Sequence, residues 1–403
     1  MKKLLFLLML LLPMAASAYD AEINGIFYNL DNKNKTAEVT YQYKNLGNGD
    51  NYPDPVTIPQ TVTYNGVEYN VTAIGEGAFA NCTTLRTINI PSSVTTIGRS
   101  AFESCSNLKS IDIPNSVTSI ESYTFAKCSS LQTITIPSSV TSIGYNVFYG
   151  CSSLQTITIP NSVTSIGSHA FQECSSLKTI TIPNSVTSIG YHAFNYCSSL
   201  QTITIPNSVT SIEAFTFYGC SSLQDITIPN SIASIGKVAF YGCRDLKSIS
   251  IPNSVNSIGE YAFYGCSGLE KIICYAKDVP ITESNAFDES DFENAILFVP
   301  VESLNKYKVT PPWSSFKTIK AIEDATTLIS EVSDFKFKIN VNGSTINILS
   351  EVEGQHISIY SIGGQLIGST VVNNGSATVN TSLKSGSIAV VKVGKKSVRV
   401  AIK

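Results

Sequence analysis

The sequence predicts a repeat solenoid of β-rich coils, and three observations support this fold class. Nine cysteines recur every 23 residues from Cys82 to Cys266. Columns of leucine, phenylalanine and proline keep the same step, such as Leu85 to Leu269 and Phe79 to Phe263. The chain has 403 residues, more than one ordinary core holds, and stacked repeats can bury apolar side chains along its whole length.

Each 23-residue unit contains the segment T-I-T-I-P, in which β-branched isoleucine and threonine alternate. This alternation predicts a half-buried strand, and the proline ends the strand because it has no N–H to donate. The segment V-T-S-I-G predicts a second short extended stretch, and G-x-x-A-F-x-x-C predicts about one helical turn. A single unit cannot bury its own apolar side chains, so we expect the coils to stack about 4.8 Å apart.

Two solenoid architectures fit a unit of this length. A parallel β-helix is the rival, but one major strand per unit and a regular turn favour the leucine-rich repeat, whose units have roughly 20–29 residues. The unit L-x-x-I-x-I-P-x-x-V-x-x-I-x-x-x-A-F-x-x-C resembles the BspA-type leucine-rich repeat of bacterial surface proteins. The resemblance covers about residues 56–322 and implies adhesion and protein binding at the cell surface.

Both ends of the chain carry export features. Lys2 and Lys3, the apolar run from Leu4 to Leu12 and a small-residue site at Ala18 predict a signal peptide at residues 1–18. Near the other end, residues 359–366 and 398–403 resemble the C-terminal sorting tail of type IX secretion cargo. Residues 386–389 lack the aromatic that such tails usually carry. An immunoglobulin-like stalk is therefore the alternative for this region.

We predict four further segments after the signal peptide. Residues 19–55 form an N-terminal β-hairpin cap, and residues 56–274 form the leucine-rich-repeat solenoid. Residues 275–323 contain degenerate repeats and a C-terminal cap in which larger aromatics replace the repeat pattern. Residues 324–403 form a linker and a small all-β tail that resembles a β-sandwich.

The composition excludes several classes of partner and site. The formal net charge is −3, and no basic stripe is present, so we predict no nucleic-acid partner. No segment is long and apolar enough to predict a transmembrane helix. We also predict no cofactor, no catalytic residue and no enzyme activity, since no nucleophile motif stands out among the many serines.

The cysteine column has two interpretations, a disulfide ladder or a stack of buried free thiols. Cysteines in adjacent coils have parallel Cβ directions, whereas a disulfide needs converging ones, so we predict free thiols. No C-x-x-C pair occurs, which argues against zinc. His169 and His192 share another column but lack further ligands, and we predict no metal site.

The candidate ligand-facing residues lie on the predicted strands, where the side chains that flank each buried isoleucine point outward. They are Thr133, Thr135, Thr156, Thr158, Thr179, Thr181, Thr202 and Thr204, with Gln155, Lys178 and Gln201 beside them. Threonine also simply suits strands, which is the alternative explanation of the pattern.

A tyrosine column gives an alternative binding face. Its members are Tyr149, Tyr218, Tyr241 and Tyr264. Tyrosine is common at interfaces, but half-buried packing between coils explains the column equally well.

The sequence therefore predicts a secreted or cell-surface binding protein, adhesin-like, that recognises host or bacterial proteins over an extended repeat face. Two other functions stay open at this stage. One is a structural envelope spacer without a dedicated ligand, and the other is a glycan-binding module of an uptake system. The oligomeric state does not follow from the sequence.

Overall fold

The computed structural model describes residues 19–41, 52, 54–290, 294–322, 337–342, 345–350, 353–361, 366–381, 383, 387–393 and 396–402. The predicted signal peptide, the predicted linker and part of the predicted sorting motif lie outside these residues. The chain forms two compact units, one of residues 1–298 and 305–319 and one of residues 299–304 and 320–403. The segment boundaries proposed from the sequence stay predictions.

Six strands lie at the start of the repeats, and all of them except the fourth belong to one small sheet. They are β1 (Ala21–Ile23), β2 (Ile26–Asp31), β3 (Thr36–Thr40), β4 (Val56–Thr57), β5 (Thr61–Tyr64) and β6 (Val67–Ile74). Strands β1, β2 and β3 are antiparallel, and β3 pairs in parallel with β6. Asn65 and Gly66, with φ of 50° and 79°, form the tight turn between β5 and β6 that their sequence predicts.

The coils contribute alternating longer and shorter strands. In chain order these are β7 (Ile88–Asn89), β8 (Thr96–Ile97), β9 (Ser110–Asp112), β10 (Thr133–Thr135), β11 (Ser142–Ile143), β12 (Thr156–Thr158), β13 (Ser165–Ile166), β14 (Thr179–Thr181), β15 (Ser188–Ile189), β16 (Thr202–Thr204), β17 (Ser211–Ile212), β18 (Asp225–Thr227), β19 (Ser234–Ile235), β20 (Ser248–Ile251), β21 (Ser257–Ile258), β22 (Lys271–Cys274), β23 (Ile281–Thr282), β24 (Ile296–Pro300) and β25 (Thr318–Ile322). The T-I-T segments and the S-I segments therefore form the two strands that the sequence predicts.

Equivalent strands stack in parallel and in register. The longer strands form one sheet in the order β18-β16-β14-β12-β10-β9 and another in the order β20-β22-β24-β25. The shorter strands form the sheets β11-β13-β15 and β17-β19-β21-β23. Thr156 lies opposite Thr179, and Ile157 lies opposite Ile180. The predicted solenoid of 23-residue coils is confirmed.

The G-x-x-A-F-x-x-C segment differs from the expected helical turn. It forms consecutive tight turns in which two residues per coil have positive φ, such as Ser100 at 54° and Ser104 at 61°. Ala101 N–H donates within its own coil to Gly98, whereas Phe102 N–H donates to Thr124 of the next coil. Because N–H groups that donate within the coil alternate with N–H groups that donate to the next coil, these segments are hydrogen-bonded from coil to coil. A regular helical turn does not allow this, because its N–H groups donate within the same helix.

Stacked phenylalanines run along the core of the repeats. The rings from Phe79 to Phe287 are all fully buried, and neighbouring ring centroids lie 5.2–5.8 Å apart. Burial of each ring contributes about 1.5–3 kcal/mol. Tyr52 packs on Phe79 at one end, and Trp313 packs on Phe287 at the other. Larger aromatics therefore close both ends of the column.

A short helical region follows the last coils. It contains the 3-10 helix Val301–Ser303, helix α1 (Leu304–Val309) and the 3-10 helix Trp313–Ser315. Tyr307 of α1 is buried, and its hydroxyl donates to the carbonyl of Ala276 at 2.8 Å.

The described residues from 337 onward form only β-strands and their connections, as predicted. The strands are β26 (Phe337–Asn342), β27 (Thr345–Ser350), β28 (His356–Ser361), β29 (Leu366–Val371), β30 (Ser376–Asn380), β31 (Ile388–Val393) and β32 (Lys396–Ala401). They form two antiparallel sheets, β26-β27-β30 and β29-β28-β31-β32. Ile346 and Ile348 of one sheet share a buried core with Ile357 and Val391 of the other. This arrangement agrees with the β-sandwich-like expectation.

Candidate binding surfaces

The strand face is the surface formed by β10, β12, β14 and β16. All eight predicted threonines of these strands are exposed, and the isoleucine between each pair is buried. Gln155, Lys178 and Gln201 are exposed immediately before β12, β14 and β16. The structure therefore brings all eleven candidate residues together on one surface, in two threonine columns and one amide-and-lysine column.

The chemistry of the strand face is polar and nearly uncharged. Threonine hydroxyls both donate and accept hydrogen bonds, and in-register pairing repeats them at about 4.8 Å along the sheet. Lys178 is the charged residue among the eleven, and carboxylates appear at the sheet ends, on Asp112 of β9 and Asp225 of β18. Such a surface is suited to many weak polar contacts spread over several coils.

Sequence reasoning missed a third threonine column, which lies immediately before the shorter strands. Thr118, Thr141, Thr164, Thr187 and Thr210 are all exposed. Here the hydroxyl of Thr164 donates to the carbonyl of Thr141 at 3.2 Å, and Thr187 repeats this bond to Thr164. The V-T-S-I pattern contained this signal, but only the structure shows that these hydroxyls bond coil to coil.

The alternative tyrosine face is a ladder of half-buried rings. Tyr218, Tyr241 and Tyr264 stack with centroids 4.7 and 4.6 Å apart, and Tyr196 meets Tyr218 edge-on at 5.2 Å. A hydrogen bond to Tyr196 and burial raise the pKa of Tyr218 to about 12. Tyr149 is half-buried in the same column but three coils away from Tyr218, the nearest ring of the ladder. Because the stacked rings cover one another, mainly their edges face outward, which favours the packing interpretation for these three.

The most exposed tyrosines of the repeats lie outside the predicted column. Tyr145, Tyr191 and Tyr196 are 40–48% exposed. Tyr145 lies edge-on to His169 at 5.2 Å, and Tyr191 lies 5.1 Å from His192. Which tyrosine rings are accessible depends on how the coils stack. The sequence spacing alone therefore did not identify these three tyrosines as the most exposed ones.

His169 and His192, which share one column of the repeats, stack on each other. Their ring centroids are 4.6 Å apart, and His192 also stacks on Phe215 at 4.2 Å. Burial and the neighbouring His169 lower the pKa of His192 to about 4. Across the residues that the structure describes, no group of three or more metal-ligating side chains comes together.

The cysteine column consists of buried free thiols. All nine cysteines of the column and Cys274 are buried, and none of them forms a disulfide. Each thiol of the central coils donates to the phenylalanine carbonyl of the preceding coil, for example Cys174 to Phe148 at 3.2 Å and Cys197 to Phe171 at 3.1 Å. Burial raises the pKa of the Cys266 thiol to about 12. The thiols therefore stay protonated and act as hydrogen-bond donors between coils, a role that the sequence did not indicate.

Comparisons with known proteins identify the repeats. A model of the BspA type leucine-rich repeat region (6 copies) matches residues 60–178, 188–310 and 234–361. A leucine-rich repeat protein of known structure from Bacteroides ovatus is 33% identical, with a TM-score of 0.64 over 75% of this chain and 77% of that one. A leucine-rich cell surface protein from Faecalibacterium prausnitzii is 27% identical, with a TM-score of 0.40 over 75% of this chain and 95% of its own.

Two further findings complete the comparison. Among proteins with curated descriptions, no match is found. In the part of the chain that the structure describes, no helix is both long and apolar enough to cross a membrane. The matching proteins are repeat proteins and not members of enzyme families. The match over more than half of its residues shows that this chain belongs to the BspA-type leucine-rich-repeat family.

Proposed function

We propose that the chain is an exported protein that binds macromolecules through its strand face, in the manner of an adhesin, and has no enzymatic activity. The observation that carries the proposal is the set of eight exposed threonines in register on four adjacent strands. A protein partner at the cell surface is the occupant that this extended, nearly neutral surface suits best. Membership of a repeat family whose members include surface proteins supports the location.

Such an interface differs from a catalytic site in how its binding energy is distributed. Contacts spread over several coils leave no single residue dominant, and the rigid sheet minimises the ordering cost on binding. The display of polar, uncharged groups also limits the desolvation cost, since each hydroxyl can form replacement hydrogen bonds with the partner.

The decisive variant replaces Thr156, Thr179 and Thr202 together with lysine. Three like charges then lie on adjacent strands about 4.8 Å apart and face solvent, so folding changes only modestly. Adhesion of the purified protein to host extracellular-matrix proteins and to bacterial surface proteins is expected to fall sharply. The control replaces Tyr218 and Tyr241 with alanine, and loss of adhesion only in that control would assign binding to the tyrosine ladder.

Unchanged adhesion in both folded variants would support a spacer without a dedicated ligand. Failure of the unmodified protein to bind any member of an array of host and bacterial surface proteins would do the same.

We also propose that the C-terminal region directs export. The support is its all-β fold together with the sequence pattern of residues 359–366 and 398–403. Deletion of residues 335–403 is expected to leave the repeats folded and to retain the protein in the periplasm, as measured by cell fractionation. Surface display that is unchanged after the deletion would favour a stalk instead.

A further inference from the structure

A groove on the turn side of four coils is separate from the strand face. It has a volume of about 530 Å³, within the range of roughly 300–1,000 Å³ that is usual for small-ligand sites. Lys127, Tyr149, Gly150, Glu173 and Tyr196 line it together with a column of serines. Lys127, Gly150, Glu173 and Tyr196 occupy the same position in four successive coils.

Gly150 opens the groove because it has no side chain between Lys127 and Glu173. Its φ is +70°, and the aliphatic Cγ of Lys127 lies 3.5 Å from where a Cβ would be. Any side chain here would fill the space that separates the lysine from the carboxylate. The groove thus depends on which residue this coil carries at a position that varies freely from coil to coil.

Tyr196 provides an aromatic wall. The residue is 48% exposed, and a Cβ on Gly219 of the next coil would lie only 2.7 Å from the Tyr196 ring. One face of the Tyr196 ring therefore packs on the backbone of Gly219, which leaves the opposite face for the groove. Unlike the rings of the tyrosine ladder, this ring offers a face instead of an edge.

The serines and Glu173 give the groove an excess of hydrogen-bond acceptors. The hydroxyls of Ser129, Ser152 and Ser198 donate to carbonyls of the preceding coil at 3.3–3.4 Å, so their outward lone pairs only accept. Glu173 is exposed and accepts as a carboxylate. Burial raises the pKa of Tyr149, and the neighbouring carboxylate of Glu173 adds to the shift through its charge and a side-chain hydrogen bond. A matching ligand must supply many donors and an apolar ring face.

We propose that this groove binds a neutral oligosaccharide, whose hydroxyls donate to the serine and Glu173 oxygens while one sugar ring packs on the face of Tyr196. Lys127 and Glu173 carry opposite charges, so the groove offers no net positive charge to attract phosphorylated, sulfated or uronic-acid ligands. The site is independent of the strand face, so the two can fail separately.

The probes are xylopentaose, cellopentaose, mannopentaose and laminaripentaose, each titrated into the purified protein by isothermal titration calorimetry. At least one is expected to bind with a dissociation constant below about 1 mM. The fully O-methylated form of the same sugar keeps the rings but has no donors, and its binding is expected to disappear. Binding of none of the four, or equal binding of the methylated form, would overturn the proposal.

Variants taken from the chain's own columns locate the site without disturbing the fold. Tyr196→Gly and Glu173→Gly introduce the residue found at the same position in Gly219 and Gly242, and Tyr149→Gln introduces the residue of Gln172. Each is expected to lower affinity about tenfold or more. Tyr241→Gln is the matched control in the same column as Tyr149, outside the groove, and is expected to leave affinity unchanged.

Two outcomes separate this site from the strand face. The triple lysine variant at Thr156, Thr179 and Thr202 is expected to bind the sugar normally, whatever its effect on adhesion. Sugar binding that is lost in the triple variant but retained in Tyr196→Gly, or a preference for tetragalacturonate over all four neutral sugars, would contradict the assignment.

Discussion

Each coil has a strand side, formed by the T-I-T strand, and a turn side, formed by the G-x-x-A-F-x-x-C segment. The two sides stack on the neighbouring coils in different ways. On the strand side, β-branched residues alternate and the same T-I-T motif returns in β10, β12, β14 and β16. On the turn side, one position holds Ser100, Tyr123, Asn146, His169, His192, Phe215, Val238 and Tyr261 in successive coils, all with positive φ. The backbone geometry is constant there, although the side chain differs between most neighbouring coils.

The difference shows where sequence variation is tolerated. On the turn side, backbone hydrogen bonds and buried Phe and Cys columns hold the coils, so the outward residues are free to differ. On the strand side, uniform side chains create one continuous surface. We infer that the strand side suits an extended partner, whereas the turn side can carry local sites such as the groove at Gly150.

The largest expected effect concerns the buried thiols of the cysteine column and of Cys274 on β22. Burial raises the pKa of Cys266 to about 12 and of Cys274 to about 11, from an ordinary thiol value near 9. A raised folded-state pKa gives stability that is complete below about pH 9 and is lost as the pH rises toward about 12. Burial raises the pKa of the thiols from Cys105 to Cys243 in the same direction, so we expect the repeats to unfold in this window, as followed by circular dichroism.

The control replaces Cys151, Cys174, Cys197 and Cys220 with alanine. Fewer thiolates then form on unfolding, so the free energy of unfolding should fall less steeply between pH 9 and 12. Buried tyrosines also titrate in this range, and an unchanged pH slope in the variant would attribute the alkaline unfolding to them instead of to the thiols.

The next effect tests the core that both sides share. Phe171 is fully buried between Phe148 and Phe194, at centroid distances of 5.3 and 5.4 Å. Replacement with alanine is expected to lower the free energy of unfolding by about 3–5 kcal/mol in urea denaturation. Thr179→Ala on the strand face is the control, with a change within about 0.5 kcal/mol. Equal losses in the two variants would mean that the strand face also contributes to stability.

A smaller effect concerns the variable position on the turn side. The pKa of His192 is about 4, below the ordinary value near 6.5, so its contribution to stability is present above pH 6.5 and is lost as the pH falls toward 4. His192→Phe introduces the residue of Phe215 from the next coil and removes this titration. The midpoint of thermal unfolding should therefore drop less between pH 7 and pH 4 in the variant. The same drop in both proteins would show that other groups control acid stability.

The sequence was sufficient to predict the coil length, the two strands and the eleven residues of the strand face. These features depend on periodicity and on alternation, which are local properties of the chain. The turn conformation was not predictable in the same way, because its positive-φ positions carry Tyr123, Phe215 or Val238 where glycine would be the usual signal. The helical expectation for this segment came from its spacing alone.

Contacts between coils were also beyond the sequence. The thiol of Cys174 donates to a carbonyl 26 residues earlier, one coil plus three residues, so the bond becomes visible only once the register is known. The groove could likewise not be predicted, because the sequence does not show that the column of Gly150 and Tyr196 faces outward. The cysteine spacing did predict free thiols, and the structure agrees with that prediction.

The measurement that tests the central claim most directly compares single and combined charges on the strand face. Thr156→Lys, Thr179→Lys and Thr202→Lys are made separately and together, and affinity for the macromolecule identified in the adhesion assay is measured for each. The expected result is a few-fold loss for each single variant and a larger loss for the triple, whose size departs from the product of the single losses because the three sites are cross-strand neighbours. A loss confined to one residue, or no loss in the folded triple variant, would contradict binding through an extended strand face.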